Sequence, residues 1–352
     1  MPAGRSSHPV SAGAVVLYAL GGTISMAGDG GGGVVARLSG ADLLEALSGL
    51  DDIAIEARDT NPIPSADLTF ADILEVVAEA SAAVDAGARG VVLTQGTDTL
   101  EETAFLIDCL WRHREPFVIS GAMRNPTLPG ADGPANLSAA MRVAATNGAR
   151  ELGALVVFND EIHSARHVRK THSTSPATFR SPDAGPIGHV VEGVARVLVR
   201  VPRFDPLPVV MRSDLATTSV ALHTATIEDD YALLTLLADG CASLARQADD
   251  GGRPVRRGLV VAGLGAGHVR AEAAEILGRI AQSMPVVLTS RTGAGSILSS
   301  TYGAAGAERD LLARGLIGGG FLHPYKARVL LRLLIAAGAG PDEIEGVFNR
   351  YR

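Results

Sequence analysis

Between Val91 and Glu102 the chain changes its period. Val91-Val92-Leu93 reads as the end of a buried strand, Gly96 supplies a tight turn, and Thr99-x-x-Glu102 has the form of a capping box opening a helix. A strand that becomes a helix within a few residues presents backbone N–H groups beside the positive end of the helix dipole. A carboxylate or a developing oxyanion is stabilised there, and α/β sheets hold their ligands at such strand ends. A threonine before a helix ordinarily does no more than cap it. Here the same chemistry recurs: the apolar run Val15-Val16-Leu17-Tyr18-Ala19-Leu20 leads into Gly21-Gly22-Thr23-Ile24. Neighbouring parallel strands would bring Thr23 and Thr97 together.

The flanking sequence repeats the unit. Helices are expected over residues 41–47, 67–84, 100–111 and after Asn136, with strands over 53–55, 117–119 and 154–158. Strand and helix in alternation predict an α/β fold whose larger N-terminal domain is a doubly wound, mainly parallel sheet. Residues 163–199 break into short strands and turns, and Pro202, Pro206 and Pro208 mark a linker. The expected organisation is therefore a catalytic α/β domain at 1–200, a linker at 201–216 and a smaller C-terminal α/β domain at 217–352. In the latter, strands are expected over 219–222 and 286–289 and helices near 230–237 and 326–337.

A chain of 352 residues suits two domains better than one core. Its formal net charge of −7 argues against nucleic acid or an anionic membrane, both of which call for clustered cations, and leaves small ligands as the expected partners. Cys109 and Cys241 sit in apolar helical contexts and are expected as buried free thiols, not as a disulfide framework. No run of about 20 apolar residues suggests a membrane span. The first thirteen residues hold one arginine and no apolar run, so no signal peptide is expected and the cytoplasm is the expected location.

Three further features invite chemistry. Gly28-Asp29-Gly30-Gly31-Gly32-Gly33 reads as a surface loop, or as the hinge of a lid over Thr23; no Gly-Lys-Ser/Thr follows to make it a phosphate loop. Gly263-Leu264-Gly265-Ala266-Gly267-His268 resembles a dinucleotide fingerprint, but His268 stands at the third glycine, and a tight turn is the better reading. His163, His167 and His172 lack a Glu or Cys at ligand spacing, so no metal or other cofactor is expected.

Leu20-Gly21-Gly22-Thr23-Ile24 and Thr94-Gln95-Gly96-Thr97-Asp98-Thr99-Leu100-Glu101-Glu102-Thr103 resemble the two signatures of the bacterial-type L-asparaginase family. Ser120-Gly121-Ala122-Met123-Arg124, Ala131-Asp132-Gly133-Pro134-Ala135-Asn136-Leu137 and Lys326-Ala327-Arg328-Val329-Leu330-Leu331 fit as well, in order, from about residue 15 to 351. The resemblance implies a cytoplasmic-type amidohydrolase that converts L-asparagine to L-aspartate and ammonia, with L-glutamine a poorer substrate. It implies Thr23 as the nucleophile, and Thr97 with Lys170 and Asp98 as the second catalytic group. Asp98 would bind the substrate α-ammonium and Ser65 its α-carboxylate, with Thr97 and Ala122 also lining the substrate. From local composition alone Lys170 reads as part of a solvated face; the resemblance instead turns it inward, where desolvation would favour the neutral amine as a proton acceptor. A homo-oligomer, dimer or tetramer, is implied.

The chain also departs from the family's secreted members. Those carry a tyrosine after the first threonine and a glutamate from the neighbouring subunit. The glycine loop here has no tyrosine, and residues 291–302 have no acid. Tyr302 is the stand-in the sequence offers, its ordinary reading being a packed aromatic. Ala66 replaces the family's glutamine beside Ser65, a lost hydrogen bond worth ~1 kcal/mol, or about fivefold in binding. Two competing readings follow: an amino-acid-binding protein that has lost nucleophile activation, and an amidotransferase subunit of the same fold. The acidic charge and short N-terminus count against the second.

Overall fold

The computed structural model describes residues 11–28, 34–36, 39–45, 47–60, 62–244, 246–249 and 251–352. Its two compact units are Met1–Pro206 and Leu207–Arg352. The first carries an eight-stranded sheet in the order Val194–Val197, Gly188–Val191, Glu161–Ser164, Ala154–Phe158, Phe117–Ser120, Gly90–Thr94, Val15–Ala19 and Ile55–Asp59. The last five run parallel. In chain order those five lie 2-1-3-4-5, the doubly wound arrangement whose connections change direction between the first and third strands. Val15–Ala19 and Gly90–Thr94 are these two strands, and both are buried throughout, as central parallel strands must be. Val15, Leu17 and Ala19 face one core with Val92, Val118 and residues Leu137, Ala140 and Ala144 of helix Gly133–Ala145.

Among the boundaries that differ from expectation, two have a clear physical reason. The strand expected at 53–55 is Ile55–Asp59 instead, beginning where Ile55 pairs with Val15. It is the sheet edge, half covered, so its Glu56 and Arg58 broke the apolar pattern without preventing pairing. The helix expected from 67 begins at Phe70, because Thr69 accepts from the Asp72 N–H while Asp72 accepts from the Thr69 N–H. The irregular stretch 163–199 contains ordered reversals. Asn159 and Asp160, at φ 51° and 60°, form the two-residue turn between Ala154–Phe158 and Glu161–Ser164, and Glu192 and Gly193, at φ 51° and 71°, form the next one. Arg169–Lys170 and Phe179–Arg180 make a separate two-stranded ladder.

The glycine run proposed as a lid hinge falls mainly on residues 29–33, outside the described residues. On either side of it Met26–Gly28 and Val34–Ala36 pair antiparallel. The second unit has four parallel strands in sequential order, Thr218–Thr224, Arg256–Gly263, Val286–Ser290 and Ile317–Gly318. Helices Ala232–Leu244 and Ala271–Ala281 cover a core containing Leu234, Leu259, Val261, Leu277 and Leu288. Cys109 and Cys241 are both buried, and neither is in a disulfide. Among the described residues no helix is long and apolar enough to cross a membrane.

Candidate active site

The sheet register aligns the two glycine turns. Ala19 lies opposite Thr94 at the carboxyl ends of adjacent strands, at the point where the connections change direction. Beyond it the Leu20 N–H donates to the Thr94 carbonyl at 2.9 Å, and the Gln95 N–H donates to the Ser120 carbonyl at 3.2 Å. The three strand ends thus stay together past the last ladder pair. Gly21 and Gly22 then turn at φ 91° and 90°, and Thr23–Ser25 is a short 3₁₀ turn with Ser25 N–H bonded to the Gly22 carbonyl. Only glycine takes such φ values without strain.

Close packing requires the glycines too. A Cβ on Gly22 would lie 2.3 Å from the Gly96 nitrogen, and one on Gly96 would lie 2.6 Å from Ser65 Oγ. The turn before Thr23 is therefore packed on the Gln95–Gly96 backbone, and the Ser65 side chain on Gly96. Ser65 is 6% exposed and its carbonyl accepts from Thr99 Oγ1 at 2.9 Å. That bond corrects one expectation: Thr99 makes no side-chain cap, and the helix Leu100–Leu110 is entered through a Thr97–Thr99 3₁₀ turn. The hydroxyl ties the Ser65 loop down instead.

Lys170 comes from the Arg169–Lys170 ladder, and its Nζ donates to Thr97 Oγ1 at 2.9 Å and to Asp98 Oδ1 at 2.7 Å. Thr97 is 7% exposed and the lysine side chain 14%, whereas the Asp98 side chain is 73% exposed. One amine thus spans a buried hydroxyl and a carboxylate open to a ligand. The inward orientation agrees with the resemblance and not with local composition, which pointed to a solvated face.

Ala122 is buried beside the same turn. A Cβ on Gly121 would meet the Gln95 carbonyl at 2.6 Å and Thr97 Cγ2 at 3.5 Å, and one on Gly133 would meet Ile24 and Ala122. Two residues hold this loop that carried no role in the sequence reading. Asp132 accepts from the Met123 and Arg124 N–H groups, and Asn136 Nδ2 donates to the Gly121 carbonyl at 3.0 Å. The Asn159 N–H returns to Asn136 Oδ1 at 2.9 Å. The D-G-P-A-N run was the available signal, since a polar pair four apart at a helix start faces one loop.

The remaining candidates have other employments. His163 is fully buried, with Nδ1 3.0 Å from Ser181 Oγ and Nε2 3.3 Å from Glu161. Burial pushes its imidazole down to about 4, against the pull of Glu161. His172 Nδ1 accepts from the Thr174 and Ser175 N–H groups and closes a turn. Tyr18 lies in the strand that feeds Thr23, but burial pushes its phenol up to about 12, so it holds its proton near neutrality. In the second unit, Gly265 and Gly267 form a turn bridged by Leu264 and His268, with His268 3.2 Å from Glu308. Tyr302 is half exposed and edge-on to His268 at 5.1 Å, with its N–H on Glu308.

Similarity to known proteins covers both units. Residues 14–202 match the family model of the asparaginase N-terminal domain, and residues 232–348 that of the glutaminase/asparaginase C-terminal domain. L-asparaginase 2 of Escherichia coli is 31% identical over 96% of this chain and 93% of its own length. A probable L-asparaginase of Deinococcus radiodurans is 34% identical over 87% and 88%. Among solved structures, a probable cytoplasmic L-asparaginase of Campylobacter jejuni superposes with a TM-score of 0.80 at 29% identity, covering 96% of this chain and 99% of that one.

Proposed function

This chain belongs to the asparaginase family, and on that premise we propose that it hydrolyses the side-chain amide of L-asparagine to L-aspartate and ammonia, with L-glutamine a poorer substrate. The observation that carries the reading is the pair of hydrogen bonds from Lys170 Nζ to Thr97 Oγ1 and Asp98 Oδ1. Such a lysine can take a proton through the Thr97 hydroxyl from an attacking water, beside a carboxylate that compensates the resulting ammonium.

In this reading Thr23 Oγ attacks the amide carbon, and N–H groups of the facing glycine turns stabilise the tetrahedral oxyanion. The C–N bond breaks as the amide nitrogen takes the proton given up by the Thr23 hydroxyl, ammonia leaves, and an acyl ester remains on Thr23. Water gives one proton through Thr97 to Lys170 and attacks that ester; the bond to Thr23 Oγ breaks, and the proton passes back from the lysine to that oxygen, which restores the hydroxyl and the neutral amine. Asp98 receives the α-ammonium, Ser65 the α-carboxylate, and Thr97 and Ala122 border the side-chain amide. The exposure of Asp98 supports its role, because a ligand cation can reach it directly. A homo-oligomer acting in the cytoplasm completes the proposal. Exposed Val191, Val194, Leu198 and Val199, neighbours near the sheet edge, favour association with a second copy.

The test is ammonia release from L-asparagine and L-glutamine by wild type, Thr23→Ala and Thr97→Ala. Asparagine turnover that both substitutions remove, in proteins melting at the wild-type temperature, is the expected result. A variant with unchanged turnover removes its residue from the mechanism. Absence of release by wild-type protein that still binds asparagine would leave an amino-acid-binding protein. Light scattering gives the oligomer size, and fractionation of the source cell its location.

A further inference from the structure

We propose that Glu101 is a positioning residue for Lys170: it fixes the lysine's main chain against the turn that its amine reaches. The assignment rests on the hydrolase reading for its catalytic consequence, though not for its geometry. Glu101 is in the first turn of helix Leu100–Leu110 and only 4% exposed, an unusual place for a carboxylate. Its Oε1 accepts from the Lys170 backbone N–H at 3.3 Å, and its Oε2 is 4.0 Å from Arg169 Nε. The same five residues, 97–101, thus receive Lys170 twice. Thr97 and Asp98 take the amine, and Glu101 takes the main chain.

Glu101 provides a link that the sheet does not. Among the described residues Arg169–Lys170 pairs only with Phe179–Arg180 and is outside the eight-stranded sheet, so no ladder of theirs sets its distance from Thr97. On its far side the hairpin is pinned by Phe179 against Phe158, ring centroids 4.5 Å apart. On its near side Glu101 reaches across to it. The helix dipole favours a carboxylate in this first turn but does not call for a buried one, and a buried ion pair rarely improves on a well-packed apolar isostere. Geometry does explain the buried carboxylate. A lysine amine sits on a four-carbon flexible stem, and catalysis falls steeply when a reacting group is misplaced by about 1 Å.

The chain contains two lysines, Lys170 and the buried Lys326, which makes the idea measurable in two ways. Glu101→Met removes the acceptor at similar volume, Glu101→Asp withdraws it by one methylene, and Glu101→Gln keeps an acceptor without the charge. For ammonia release from L-asparagine, Glu101→Met is expected to lower kcat at least tenfold with KM within about threefold, and Glu101→Gln to recover most of that loss. Acetic anhydride labelling, read by peptide mass with Lys326 as internal reference, is expected to modify Lys170 several times faster in Glu101→Met than in wild type. Should the Met variant not fold, the Asp variant carries the same two expectations. Wild-type kcat together with wild-type labelling of Lys170 in a folded variant overturns the proposal. If wild-type protein releases no ammonia at all, the hydrolase reading fails and the labelling comparison still decides the role of Glu101.

Discussion

Gly22 rests directly on the Gln95–Gly96 peptide, so close that a Cβ on Gly22 would lie 2.3 Å from the Gly96 nitrogen. These are the turns that carry Thr23 and Thr97, and they meet through main chain alone. The consequence is rigidity. Neither turn can move toward the other, and neither tolerates a side chain between them. Gly22→Ala adds both a backbone collision and a strained φ of 90°. It is expected to cost at least about 2 kcal/mol of stability and to reduce asparagine turnover more than a hundredfold in the fraction that folds. A melting curve with a single-turnover assay checks both; wild-type values in each would show that the turns can part.

Lys170→Met keeps most of the side-chain volume and removes the donor to Thr97 and Asp98. Turnover is expected to fall by roughly a thousandfold while L-asparagine still binds, because Asp98 and Ser65 remain. Calorimetric titration beside the ammonia assay separates the two effects. Lost binding with intact chemistry would contradict the proposed role.

Ala66 is exposed next to the buried Ser65. Restoring a hydrogen-bonding side chain with Ala66→Gln is expected to lower KM for L-asparagine by about fivefold, the equivalent of ~1 kcal/mol, with kcat little changed. An unaltered KM would mean that the glutamine position does not reach the substrate in this chain.

His163 gives a pH dependence away from the site. Its imidazole titrates at about 4 in the folded protein because burial disfavours the cation, against an ordinary 6.5. Between those values the unfolded chain binds the proton and the folded one does not. Stability is therefore fully present above about pH 6.5 and is lost as pH falls toward 4. The shift corresponds to a few kcal/mol, on the order of 3. Denaturant midpoints from pH 7 to 4 should fall less steeply in His163→Gln than in wild type; equal slopes would assign the loss to other groups.

Much of this arrangement was legible in single segments. The change of period at residues 91–102 and the apolar run before Gly21 each announced a buried strand feeding a turn, and both are there. What misled was local chemistry with two possible partners. Thr99 had the spacing of a cap, and its hydroxyl goes to Ser65, 34 residues away. Thr69 formed the capping box instead, with an aspartate at the third position. Glu56 and Arg58 hid an edge strand, because an edge needs only one pairing neighbour and one covered face. Asp132, Asn136 and Glu101 could be read as ordinary polar residues, since their partners are main-chain groups that no side-chain pattern reports.

By itself the sequence determined which pieces exist: two strands ending in glycine turns, a threonine after each, and an α/β alternation that makes the strands parallel. Periodicity and turn chemistry are local, and local preferences need no fold to be read. Only the tertiary structure decided which pieces meet. The 2-1-3-4-5 order places the two turns side by side, and a small ladder outside the main sheet brings Lys170 onto Thr97 and Asp98. Lys170 is 73 residues from Thr97 in the chain. Its inward direction is set by packing and by hydrogen bonds formed after the chain closes on itself, and those contacts leave no periodic trace in the sequence.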